Sequence, residues 1–465
     1  MPVQRSAVLL LLSVIAFLPS RLSAQKTATD KVFNIKDYGA IGDGKTLNTE
    51  AINKTIAACN EAGGGTVMVS AGKYLTGTVL LKSNVTLYLQ NDATIIGTAD
   101  LDQYKAYDLG PERPERPLNI RNDMRWSRSL VLLDHVNNVT ITGTGTIDGA
   151  AVVDTKGEEG RRGPHGILIG SSKNINISNI RVTRAGDYNI IGLDVEDIKF
   201  TNLSVVAGYD GIHIRRGKNM IIDNCKFYTA DDAIAGGYWE NMLIKDCLIN
   251  SSCNGIRLVL PATKLEIRDC QIWGPGVFGH PRGGIGIPLV TNSLTGIILQ
   301  PGAWGLGAGK VDSVYIHNIQ MRDMQTALTF VLNKGNQGDH ILVEKVNAIG
   351  ITGNPCSVEA WPDDSRFDHV KFKDFTVSYN VTSPQAMNVK TFVHPRTESR
   401  PLPYWGFYLR NVANIEFENV KLNYAGSEIR PAMGFDNVGR VSFKNVKYKE
   451  VQGVEALAYD KTKPF

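Results

Sequence analysis

Asp210 stands 21 residues before Asp231, and Asp232 follows directly. Acids gathered into one site repel one another, which raises at least one pKa and leaves a protonated acid beside an ionised base. Cleavage of a glycosidic bond needs that division, because one carboxyl gives a proton to the leaving oxygen while another activates water. Turn aspartates are often no more than solvated, and clustered carboxylates also suit calcium. The setting favours acid–base chemistry. Asp231 and Asp232 lie in Thr229-Ala230-Asp231-Asp232-Ala233-Ile234-Ala235, among small and apolar residues, and Tyr209-Asp210-Gly211-Ile212 precedes them by almost one repeat of the chain.

That repeat is what must position the acids. A polar–aliphatic–any–aliphatic pattern recurs as Asn174-Ile175-Asn176-Ile177, Asp197-Ile198-Lys199-Phe200, Asn219-Met220-Ile221-Ile222, Asn241-Met242-Leu243-Ile244 and Lys264-Leu265-Glu266-Ile267. Its first aliphatic position advances by 23, 22, 22 and 23 residues. Alternation over four positions suits a short strand buried on one face and is too short for a helix. Copies that stack at this period predict an all-β, parallel β-helix, a solenoid of coils over about residues 130–450. Because neighbours in a strand face opposite ways, Asp231 and Asp232 reach one groove only at a bend, with Asp210 expected above Asp231 on the adjacent coil.

A solenoid needs covered ends. Ile52, Ile56 and Cys59 follow helical spacing from a cap at Asn48, and Gly63-Gly64-Gly65 stops that helix, so residues 25–95 read as an N-terminal cap and first coils. Met1 to Ala24 has a basic start, an apolar stretch and a small-residue cleavage site, the pattern of a signal peptide, which predicts a secreted or periplasmic protein. Residues 25–465 contain no Pro- or Ser-rich linker and read as one domain. The apolar stretch is too short to span a bilayer, so no membrane span is expected. Six cysteines lack metal-ligand spacing, and Cys225, Cys247 and Cys270 fall at one place in successive coils, which predicts a ladder of buried thiols. No nucleotide loop, serine-nucleophile motif or nucleic-acid module occurs, so neither cofactor, metal nor nucleic-acid partner is expected.

Gly208-Tyr209-Asp210-Gly211-Ile212, Ala230-Asp231-Asp232-Ala233-Ile234-Ala235 and Cys253-Asn254-Gly255-Ile256 resemble, in order and spacing, the polygalacturonase family, glycoside hydrolase family 28. Phe33-Asn34-Ile35-Lys36-Asp37-Tyr38-Gly39-Ala40 and Gly143-Thr144-Gly145-Thr146-Ile147-Asp148-Gly149 are similar to further segments of it. The resemblance implies a right-handed parallel β-helix and a secreted, inverting hydrolase of a pectin-like acidic polysaccharide, with Asp231 as general acid and Asp210 and Asp232 activating water. The chain departs from that pattern at three places. Asn254 stands where the family has histidine, and Ile298 and Gln300 stand where it has an arginine and a lysine for the uronate carboxylate. Neither replacement supplies that charge.

Substitute cations are Arg215, Arg216, Arg282 and above all Arg257, three residues after Asn254. Asn254, Arg257, Gln300, Trp239 and Tyr209 are therefore the expected substrate contacts, with Tyr238 and Trp304 as weaker aromatic candidates. Two other functions suit the same fold: a polysaccharide lyase, which would release an unsaturated product, and a non-catalytic carbohydrate-binding β-helix.

Overall fold

The aliphatic positions of the repeat become the inner wall of a tube. Ile175 pairs with Ile198, Ile198 with Met220, Met220 with Met242, and Met242 with Leu265, each one coil apart in parallel register. All five are buried in a continuous apolar core that runs from Ile35 to Val441. The computed structural model describes residues 31–110, 127–281, 288–381, 394 and 398–461, so the signal peptide expected at 1–24 and Arg282 lie outside the described residues. Within them, 33 strands form one connected sheet wound into a right-handed parallel β-helix.

A representative coil shows why the chain turns where it does. Ile212–Asp223 bends at Arg216 (φ 60°), a second bend at Asn224 (φ 52°) leads into Lys226–Thr229, and residues 230–233 close the coil before Ile234–Lys245. Residues with short polar side chains tolerate the left-handed conformation best, so asparagine and aspartate recur at these bends. Their side chains bond from coil to coil: Asn241 to Asn219 and Asn219 to Asp197, each at 2.9 Å. Cys225, Cys247 and Cys270 stack as buried free thiols beneath the second bend, as the repeat predicts.

The helix Thr49–Glu61 packs Ile52, Ile56 and Cys59 onto the first coils and covers the N-terminal end of the tube. Among the described residues, no helix is long and apolar enough to cross a membrane.

Candidate active site

The turns between Lys226–Thr229 and Ile234–Lys245, and their equivalents one coil away on each side, bring the aspartates to one face. The backbone N–H of Gly211 donates to the carbonyl of Asp232 (2.9 Å), and that of Ala233 donates to the carbonyl of Asn254 (3.0 Å). Asp210 therefore stacks on Asp232 and Asn254, at the 22-residue coil period. This corrects the expected stacking of Asp210 on Asp231, whose N–H instead donates to the carbonyl of Tyr209. The glycines after Asp210 and Asn254 allow the coils to approach: a Cβ on Gly211 would lie 2.4 Å from the Ala233 oxygen, and one on Gly255 would lie 2.5 Å from the Gly296 oxygen.

All three carboxyls line one pocket of about 360 Å³, together with Glu158, Glu159, Arg162, Tyr188, His213, Arg215, Cys253, Arg257, Val259, His280, Trp304 and Glu398. Their surroundings differ. Burial pushes Asp231 up, but His280 (3.1 Å) and Arg162 (3.0 Å) at its Oδ2 overcome that and hold it well below the usual carboxylate range. Burial pushes Asp232 up to about 6, against the opposing charge of Arg257 at 3.6 Å. Asn254 fixes Asp232 by donating both its side-chain amide (2.8 Å) and its backbone N–H (3.2 Å) to Oδ1.

Burial and the neighbouring charges of Asp231 and Asp232 carry Asp210 well above the usual range. Burial, followed by the adjacent Arg215, pushes His213 well below its ordinary value, so its ring is neutral. Arg215 Nε donates to His213 Nε2 (2.9 Å), which leaves the ring proton on Nδ1, pointing at Asp210 Oδ2 2.6 Å away. A stack of rings backs this chain, with Tyr188 lying 4.7 Å from His213 and 5.3 Å from His165.

The structure sorts the expected substrate contacts. Arg257 reaches the pocket, 3% exposed. Asn254 is fully buried behind Asp232 and positions that carboxyl instead of lining the pocket. Tyr209 lies beside the pocket and carries the Arg162 guanidinium on its ring face at 4.0 Å. Two expectations are overturned. Trp239 is 1% exposed and its indole N–H donates to the Ile214 carbonyl, so it is core and has no face for a sugar. Gln300 is 0% exposed and lies outside the pocket. Tyr238 is also buried, and Arg216 pairs with Asp194 away from the acids, whereas Trp304 stands exposed at the rim, 5.4 Å from the Arg257 guanidinium.

Sequence reasoning missed Arg162, His213, His280 and Glu398. His165 precedes Tyr188 by 23 residues, one period, so that part of the ring stack was open to the repeat. Arg162 and Glu398 come from insertions between coils, which no period places. Asp231, Asp232 and Cys253 each put a ligand atom within 4.8 Å of the others, as do Asp339, His340 and His369 on the outer surface. In the pocket Arg162, His280 and Asn254 already occupy carboxylate oxygens that a cation would need.

A parallel β-helix with clustered carboxyls in a pocket on one face is the class of protein that the fold and site define. Residues 32–257 match the family described as rhamnogalacturonase A/epimerase, pectate lyase-like. A probable polygalacturonase of Vitis vinifera is 27% identical over 333 residues, 66% of this chain and 64% of that relative, so the chain spans less than two thirds of its length. The family 28 exopolygalacturonase of Yersinia enterocolitica superposes over 93% of this chain and 77% of its own with a TM-score of 0.53 at 17% identity. The Streptococcus pneumoniae surface protein and adhesin PfbA superposes over 93% of this chain and 100% of its own, with a TM-score of 0.54 at 15% identity. The chain is thus related to the polygalacturonases, and the fold by itself is shared by an enzyme and an adhesin.

Proposed function

We propose that this chain is a glycoside hydrolase, exported by its leader 1–24, that cleaves a glycosidic bond in a pectin-like acidic polysaccharide with Asp210, Asp231 and Asp232. The observation that carries this reading is the opposite treatment of adjacent carboxyls. Asp231 is held ionised by Arg162 and His280, while Asp232 and Asp210 are pushed towards protonation. A proton donor and an ionised carboxylate thus share one pocket, the requirement for breaking a glycosidic bond.

Arg162 and His280 disfavour a proton on Asp231, whereas burial favours one on Asp210 and Asp232, opposite to the role the resemblance gives Asp231. We assign Asp232 as the donor to the leaving oxygen, and Asp231 as the carboxylate that draws the proton from water. Asp210, oriented by His213, is the second carboxyl that burial drives towards protonation. Arg162 and His280 keep Asp231 ionised, and Asn254 aims Asp232.

The test is incubation with a panel of pectic oligosaccharides, with products followed by mass and by ultraviolet absorbance. Hydrolysis gives products one water heavier in total and no new absorbance; an unsaturated, absorbing product would establish the lyase instead. Following the anomer by NMR in the first minutes distinguishes inversion from retention. Binding without any product from the whole panel would support the carbohydrate-binding alternative.

A further inference from the structure

We infer that Glu398 is a specificity-determining residue: its carboxylate takes the place on Arg257 that a substrate carboxylate would occupy, so the pocket admits an uncharged sugar beside the aspartates. This rests on reading the pocket as a glycan-cleaving site and deepens it by naming the class of sugar, a neutral residue carried by a pectin-like chain.

Arginine is the side chain that grips carboxylates through its planar fork, and Arg257 is the cation best placed to replace the missing ones. Its Nη1 is already met by Glu398 Oε1 at 3.0 Å and by Asp232 Oδ2 at 3.6 Å. Glu398 Oε2 also accepts from the Asn254 side-chain amide at 3.4 Å. The residues that follow fix this carboxylate in position. Ser399 shares hydrogen bonds with Thr326 (2.9 Å), Asn354 (3.1 Å) and Thr295 (3.4 Å), and Arg400 forks onto the buried carboxylate of Glu359 at 3.0 and 2.9 Å. Three consecutive residues are thereby tied to successive coils, with Glu398 at the pocket end.

Among the described residues, the other arginines of the pocket are already engaged. Arg162 is committed to Asp231 and Asp187 at 3.0 and 3.1 Å, and Arg215 gives its Nε–H to His213. Along the row of Arg257, the residues in register on the next two coils are Ile298 and Thr329, both uncharged. The pocket wall carries six carboxyl side chains, Glu158, Glu159, Asp210, Asp231, Asp232 and Glu398, against three arginines. Even with Asp210 and Asp232 protonated, a uronate would add a further anion beside Glu158, Glu159, Asp231 and Glu398, or would have to displace Glu398. A neutral sugar meets the same wall differently, because its hydroxyls donate to carboxylates and its C–H face can lie on Trp304.

The test compares sugars that differ only at C6. Methyl α-pyranosides in galacto, gluco and manno configuration, each as the neutral hexoside and as its uronate, are titrated into the full-length protein at pH 7 and low salt. Dissociation constants are read by saturation-transfer NMR and calorimetry. The neutral member of the binding pair is expected to bind at least about tenfold tighter, since one opposed charge contact commonly shifts affinity by that order. In Glu398→Gln, which removes the charge but keeps the shape, the ratio should move about tenfold or more towards the uronate. Equal or tighter binding of the uronate by the wild-type protein overturns the inference and leaves the hydrolase reading intact. No saturable binding of any pair overturns the pocket as a sugar site, and the inference with it. An unchanged ratio in a folded Glu398→Gln protein removes Glu398 as its cause; if that variant fails to fold, Glu398→Ala and the wild-type comparison still decide.

Discussion

Asp231 and Asp232 are chemically identical neighbours, and their difference comes from what each one touches. Arg162 and His280 converge on one oxygen of Asp231, whereas Asp232 faces an amide and a more distant arginine already shared with Glu398. Asp232→Asn keeps the shape and the oxygen that accepts from Asn254 but removes the acidic proton, so turnover of an unactivated substrate should fall by roughly 10²–10⁴-fold. A substrate whose leaving group needs no protonation should lose far less. Asp231→Asn should impair both substrates, because the carboxylate that draws on water is gone. The opposite pattern, with rescue by the good leaving group in Asp231→Asn, would return the donor role to Asp231. Behind them, His213→Gln should lower kcat more than it raises KM. It contacts the acid Asp210 and lines the pocket behind it, and the Nδ1–H that orients that carboxyl is lost.

At the scale of the coil, the left-handed bends and their polar ladder set where each strand ends. Asn219 (φ 54°) donates to Asp197 and accepts from Asn241, so it serves both as a conformation and as a link between coils. Asn219→Gly keeps the conformation and loses the ladder, while Asn219→Ala loses both. The alanine variant should therefore be the less stable of the two, by about 1 kcal/mol, as read from urea unfolding; equal stabilities would mean that the left-handed bend contributes nothing there. This level of structure was legible in the sequence because one period, 22 to 23 residues, fixes the row from Ile175 to Leu265 and the thiol ladder together. The same period put the acids on neighbouring coils but stacked Asp210 on Asp231 instead of Asp232. Trp239 and Gln300 were misplaced because a motif gives order along the chain, while the alternation of a strand decides which side chain points into the tube. Glu398 lies 141 residues from Arg257, in an insertion, and no local pattern announces that contact.

Across the whole molecule, the buried acids make stability depend on pH in a way that carries the signature of the site. Burial pushes both Asp187 and Asp232 up to about 6, from an ordinary aspartate value of 3.8. Between those values the folded protein holds more protons than the unfolded chain, so its stability falls as pH rises from about 4 to about 6. Each such group contributes on the order of 3 kcal/mol to that fall, at 1.36 kcal/mol per pKa unit. Asp231 acts in the other direction: its folded pKa is depressed, so its contribution is present above about pH 4 and is lost as pH drops through and below that value. The molecule should therefore be most resistant to urea in the mildly acid range and lose stability on both sides of it. Asp232→Asn cannot titrate, so its stability should fall less steeply than the wild type between pH 4 and 6, and the difference between the two proteins should grow in the variant's favour up to pH 7. Parallel pH profiles for the two proteins would show that Asp232 takes up no proton on folding. The donor role would then have to pass to Asp210, the other carboxyl that burial drives up.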